Sequence, residues 1–410
     1  MKMSALEFPP DSSLATPVAR SAVDAPQDAP VDATVAVPPP GVPAVPRGPR
    51  PKRALGFTLA VIGMAVAPLG LGLWDPPFVP AVPALDWTLA LDRRSAAAAE
   101  AVHGPKVVFV GGSNVRFGID AAGLSHDLGL PVINYGLNAG LGADVIADRA
   151  LAIVKPGDVL VFAPELSHFR RLTPADLTDE VRVEFLSALP RQSPAVANGR
   201  MPTFPLLQWH RARNRCNRLR GWVENGLMSA FDWATDDSWR KAADDYAKSS
   251  PYSVAAVGPD GAIVVPRPTA QPLDHWAYSR PPADLWAMSM SPTGSLGGAA
   301  FERVRQACAR RGVTLYVMPP LRLAVDHFDQ HTLGAEERAW LEYAADHGVA
   351  SLLPAGSTVF PVADGYDTDY HLNDAGVAVV RTRLAAALRP IVASRVSGRA
   401  GGGEMVALPR

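Results

Sequence analysis

Between residues 105 and 355 the chain carries short, unbroken apolar runs, and stretches of helical period stand between them. The runs are "VVFV" (107–110), "PVINY" (131–135), "DVLVFA" (158–163), "VTLYVM" (313–318) and "GVASLL" (348–353). The helical stretches lie near Ala121–Leu128 and in "ADVIADRALAIV", "AEERAWLEYAADH" and "AGVAVVRTRLAAAL". A strand without polar alternation is buried on both faces, so this order predicts an α/β domain with a three-layer α/β/α parallel sheet. The crevice of such a sheet opens at the carboxyl ends of its strands. Ser113 stands at the first of those ends, in "VVFVGGSN".

Outside this region the pattern changes twice. Residues 1–53 are Pro, Ala, Val and Asp without a helical or strand period. Prolines interrupt hydrogen bonding throughout, so this segment reads as a disordered, extended tail. Residues 54–74, "ALGFTLAVIGMAVAPLGLGLW", hold no charge. About 20 residues at ~1.5 Å rise match the ~30 Å bilayer core, which predicts a transmembrane helix. Arg47, Arg50, Lys52 and Arg53 precede it, so the tail is expected in the cytoplasm and the main domain outside the plasma (inner) membrane. A cleaved secretory signal is the alternative, but no A-x-A site follows directly. A Pro-rich stalk (75–104), the sheet domain (105–393) and a flexible tail (394–410) complete the expected order.

Residues 172–291 break the rhythm and read as a cap or insertion. Here Arg211, Arg213, Arg215, Arg218 and Arg220 fall on one expected helix, with Ala212, Cys216, Leu219 and Val223 at packing positions. Its basic face suits either plain solvation or anionic lipid and glycan. Trp276 and Trp286 offer core packing or a sugar-stacking platform.

Composition narrows the chemistry. A net charge of -1 over 410 residues gives no global field for nucleic acid. Two cysteines, Cys216 and Cys308, cannot make a zinc site or a disulfide framework. His327 and His331, with Asp326 and Asp329, lack a third metal ligand at a diagnostic spacing. "GLNAGLGAD" lacks the Lys-Ser/Thr of a phosphate loop. No metal or cofactor is expected.

A serine is a weak nucleophile until a base takes its proton. His371, in "GYDTDYHLNDAGV", follows Asp367 and Asp369, either of which can hold the imidazole in its proton-accepting tautomer. His168, three residues after Glu165, reads as a solvent-facing histidine near the crevice.

Serine after the first strand, with acid and base before the last helix, resembles the layout of the SGNH (GDSL-like) hydrolases. The chain is most similar to their membrane-anchored members in "GGSNVRFGID", "PVINYGLNAGLG", "KPGDVLVFAPE", "MPPL" and "YDTDYHLNDAG". These blocks cover most of 105–170 and 310–390. The resemblance implies a flavodoxin-like sheet with Ser113 as nucleophile and His371 as base. It implies Asp367 as the orienting acid, with Asp369 as its fallback. The backbone N–H groups of Ser113 and Gly136 would form the oxyanion hole, joined by Asn138 or Asn114. Two positions depart from the family. Thr368 occupies the usual acid position, and Glu165 stands near the usual third-block asparagine. The resemblance implies a membrane-anchored esterase or O-acyltransferase acting on acyl groups, acetyl above all, of cell-surface glycans. A non-catalytic glycan-binding or assembly protein of the same fold is the second expectation. The partners expected are a glycan or acyl donor and membrane lipid through the anchor.

Overall fold

A computed structural model describes residues 83–169, 180–189, 209–216, 250–267, 295–324 and 330–400. The expected cytoplasmic tail and transmembrane helix, Arg218, Arg220, Trp276, Trp286 and His327 lie outside these residues. Among the described residues, no helix is long and apolar enough to cross a membrane.

Helix α1 (Pro83–Ala101) opens the described chain. Proline at its first position and Asp86 in its first turn suit a helix start, where an N–H is dispensable and negative charge is favoured. Strand β1 (Val107–Gly111) follows, then the short α2 (Ser113–Gly118), α3 (Ala121–Leu128) and β2 (Val132–Gly136). Asp120 caps α3 by accepting from Gly123 N at 2.8 Å, and Gly129 ends it at φ 62°. Helix α4 (Ala143–Ile153), β3 (Val159–Ala163), α5 (Glu180–Ala188) and helix α6 (209–216) come next. After them stand α7 (Leu296–Arg311), β4 (Thr314–Val317), β5 (Arg322–Ala324), α8 (Gln330–Asp346), β6 (Val359–Pro361) and α9 (Asp374–Ala400).

The main sheet has the order β2-β1-β3-β4, with every pair parallel. All residues of β1, β2 and β3 are buried. Alternate residues divide between two cores. Val108, Val110, Leu160 and Phe162 pack with Trp87, Ile146, Phe301 and Trp340 on one face. Val107, Phe109, Val159 and Val161 pack with Leu124, Val380 and Leu384 on the other. Helices therefore cover both faces, as the unbroken apolar strands require.

The amino end of the sheet is locked by charge. Lys106 Nζ meets Asp158 Oδ2 at 2.7 Å, with side chains 0% and 1% exposed. Asp158 also accepts from Lys106 N and Lys155 N. Its carboxylate thus joins the entries of β1 and β3.

Four expectations need correction. The stalk from Pro83 to Ala101 is a helix whose Trp87, Leu91 and Ala99 are buried in the core. Its Pro-rich approach and alanine run hid that packing. The run at 348–353 forms only a parallel bridge, Ser351 to Val317, while β5 and β6 pair in a small second sheet. The last helix continues past 393 to Ala400. On α6, Ala212 is buried and Arg213 exposed as expected, but Cys216 is exposed and Arg215 is buried, against expectation. Arg211 and Arg215 turn toward Glu184, at 3.1 and 4.0 Å, because a buried carboxylate needs cationic partners.

Candidate active site

Strand β1 ends against α2 with no room for side chains. A Cβ on Gly112 would lie 2.5 Å from Glu165 Oε1, and one on Gly136 would lie 2.2 Å from Arg116 N. Glycine at these two positions lets α2 start directly on the strand ends and puts the half-buried Ser113 first on that helix. Phe117, one turn further on, stacks on the His371 ring at a centroid separation of 4.1 Å. Residues four apart share a helix face, so α2 offers Ser113 and the His371 contact on one side.

His371 is carried by the loop between β6 and α9, where Tyr366 N donates to His371 O and Gly365 pairs with Leu372. Its side chain is 5% exposed. Nδ1 lies 2.7 Å from Asp367 Oδ1 and 2.8 Å from the Tyr252 hydroxyl. That hydroxyl donates to Asp367 Oδ2 at 2.5 Å. A carboxylate only accepts, and the one phenolic proton is already committed to it. The proton between the ring and these two groups therefore sits on Nδ1, and the neutral imidazole carries its lone pair on Nε2. This is the tautomer of a general base.

The orienting acid is Asp367, four residues before the histidine. Thr368 accepts from Tyr370 N and from His371 N, which shapes the turn. Asp369 is not on the imidazole: its backbone oxygen accepts from Leu323 N, and its charge acts on Arg322 and Tyr370. Tyr252 was not foreseen. It comes from the segment 250–267 of the expected insertion, which is anchored where Trp87 Nε1 donates to Pro251 O at 3.0 Å. No motif or period announces it.

Ser113 and His371 share no hydrogen bond. The Ser113 hydroxyl donates instead to Glu165 Oε1 at 2.9 Å, and Asn114 N donates to the same oxygen at 3.3 Å. Glu165 is 5% exposed, and no cation pairs with it among the described residues. Its charge reaches Tyr370, a half-buried phenol. Burial raises that pKa most; Arg322 opposes the rise, while Asp369, Glu165 and Glu336 add to it.

The expected oxyanion donors divide. The Ser113 N–H, at the start of α2, has no intrahelical acceptor and stays open. Gly136 N–H is committed to Asn134 Oδ1 at 2.9 Å, so it does not serve. Asn114 turns its amide to Ala163 O at 3.1 Å and is fully buried. Asn138 uses its carbonyl to cap Gly140 N at 2.8 Å, and its NH2 meets no acceptor among the described residues. Ala139, at the Gly112 wall, has its carbonyl 3.0 Å from His168 Nε2. His168 is buried rather than solvent-facing, and its Nδ1 has no partner among the described residues.

No family model matches the chain. No curated protein matches it either.

Proposed function

We propose that the chain is a serine-dependent ester hydrolase or O-acyltransferase of SGNH type. In this reading it is anchored in the inner membrane and acts on acyl groups of cell-surface glycans. The observation that carries it is the fixed tautomer of His371, with Asp367 and Tyr252 on Nδ1 and Nε2 left to accept a proton. A histidine that only filled a core would not need two polar groups on one nitrogen and, among the described residues, none on the other.

The reaction begins when the Ser113 hydroxyl leaves Glu165 and turns to Nε2 of His371. Oγ attacks the ester carbonyl carbon as its proton passes to Nε2, and a tetrahedral oxyanion forms near the Ser113 N–H and the Asn138 amide. Collapse breaks the bond to the leaving alcohol, which takes the proton from His371. Water or a sugar hydroxyl then attacks the acyl-enzyme, and the choice between them separates hydrolysis from transfer.

A fluorophosphonate probe on the purified full chain tests this reading. Labelling should map to Ser113, vanish in Ser113→Ala and fall by on the order of 10²-fold or more in His371→Ala. Absence of labelling in folded protein supports the second reading, a non-catalytic glycan-binding or assembly module. The hydrogen bond from Ser113 to Glu165 favours that reading, because it holds the hydroxyl away from the base.

A further inference from the structure

Glu165 stands apart from most buried carboxylates of this fold. Asp158 has Lys106, Asp144 has Arg182, Asp92 has Arg149 and Glu336 has Arg322, each within 2.7–2.9 Å. Glu337 also lacks a cation within that reach, but Gly356 N and the Thr358 hydroxyl satisfy it, and burial pushes its pKa up. Among the described residues the Glu165 carboxylate accepts two hydrogen bonds, both on Oε1, and none on Oε2. A buried carboxylate without a cation is costly. Here it also stands beside the nucleophile, where negative charge develops during acyl transfer.

Resting on the reading of Ser113 as nucleophile, we infer that the substrate supplies the missing cation, and that the acyl group transferred is an α-aminoacyl group rather than acetyl. With ordinary bond lengths, an α-ammonium lies only about 2.5 Å from the ester carbonyl carbon. When that carbon sits over Ser113 Oγ with its α-substituent turned toward Glu165, the ammonium comes within hydrogen-bond reach of a carboxylate that is itself 2.9 Å from Oγ. A cation placed further from the carbonyl carbon, as in a choline or γ-aminobutyryl ester, reaches past it.

The ammonium does two things. It competes with the Ser113 hydroxyl for Glu165 and so releases Oγ to Nε2 of His371. It also neutralises Glu165 before the oxyanion forms, so the developing charge no longer faces an uncompensated carboxylate. The ammonium keeps its proton throughout. The bond from Oγ to the acyl carbon forms, the bond to the leaving alcohol breaks, and the serine proton travels through His371 to that alcohol.

Alanine methyl ester and lactate methyl ester differ only in ammonium against hydroxyl, and methanol release measures both. The full chain at pH 7 should show kcat/KM for the alanine ester above that for the lactate ester by on the order of 10–100-fold. Glu165→Gln should remove most of that preference, while Glu165→Asp, which keeps the charge, should retain part of it. Circular dichroism checks that each variant folds. Equal rates for the two esters, or a preference that survives in Glu165→Gln, overturns the inference while fluorophosphonate labelling of Ser113 leaves the catalytic reading standing. No labelling and no turnover of either ester overturns both.

Discussion

Strand β3 carries a buried acid just before its start and another just after its end, and the two ends of the sheet treat them oppositely. Asp158, at the amino end, has a lysine at 2.7 Å and further backbone donors. Glu165, at the carboxyl end, has a serine hydroxyl and one backbone N–H. Both are at most 5% exposed. The paired acid joins two strands and is spent on structure. The acid without a cation among the described residues leaves electrostatic potential directed at Ser113, the proposed nucleophile, at the end where α/β sheets place their chemistry.

Substitutions at the two ends should therefore diverge. Lys106→Met strands Asp158 without its cation and should cost about 3–5 kcal/mol in chemical denaturation. A loss below 1 kcal/mol would show that the amino end is not held by charge. A third acid, Asp144, gives the pH counterpart. Burial pushes its carboxyl up, but the fork of Arg182 outweighs burial and holds it below its ordinary value. Its folded pKa lies below its unfolded one, so this stabilisation is complete above about pH 4 and is lost as pH falls. Arg182→Gln should lower stability at neutral pH and flatten the acid side of the stability curve. An unchanged acid slope would count against that pairing.

At the carboxyl end, Tyr252→Phe removes one of the two groups on His371 Nδ1 and the proton donated to Asp367. Ester turnover should fall by on the order of 10-fold, and its pH profile should move with the altered imidazole, while the denaturation midpoint moves little. A purely structural tyrosine would shift the midpoint and leave the profile alone. The smallest effect on stability is expected at Glu165→Gln. Removing a buried charge that has no cation among the described residues should change stability by less than about 1 kcal/mol or raise it. A loss as large as that of Lys106→Met would erase the contrast between the two ends.

Much of this was legible from the chain. The apolar runs of β1, β2 and β3 are continuous because both sheet faces are covered, and burial of that kind is written in composition. Ser113 was found because a strand broke into Gly-Gly-Ser, and His371 because two acids precede it on one loop. What stayed hidden depends on tertiary contacts. Tyr252 lies 119 residues before His371, on a segment without period. The strands β5 and β6 are three residues each, too short to show an alternation. Gly136 matched a family position, yet the Asn134 side chain reaches its N–H, and sequence does not report such a bond. Helix α1 has the sequence of a stalk because prolines crowd its approach, although one of them stands at its first turn.

Central to the account is that His371 presents Nε2 as a lone pair to the side of α2 that bears Ser113. Nitrogen NMR of the full chain with ¹⁵N-labelled histidine, with His371→Gln supplying the assignment, reads this directly. The neutral ring should show a protonated Nδ1 and a bare Nε2. A neutral His371 with its proton on Nε2 would contradict the account, because that imidazole could not take the serine proton.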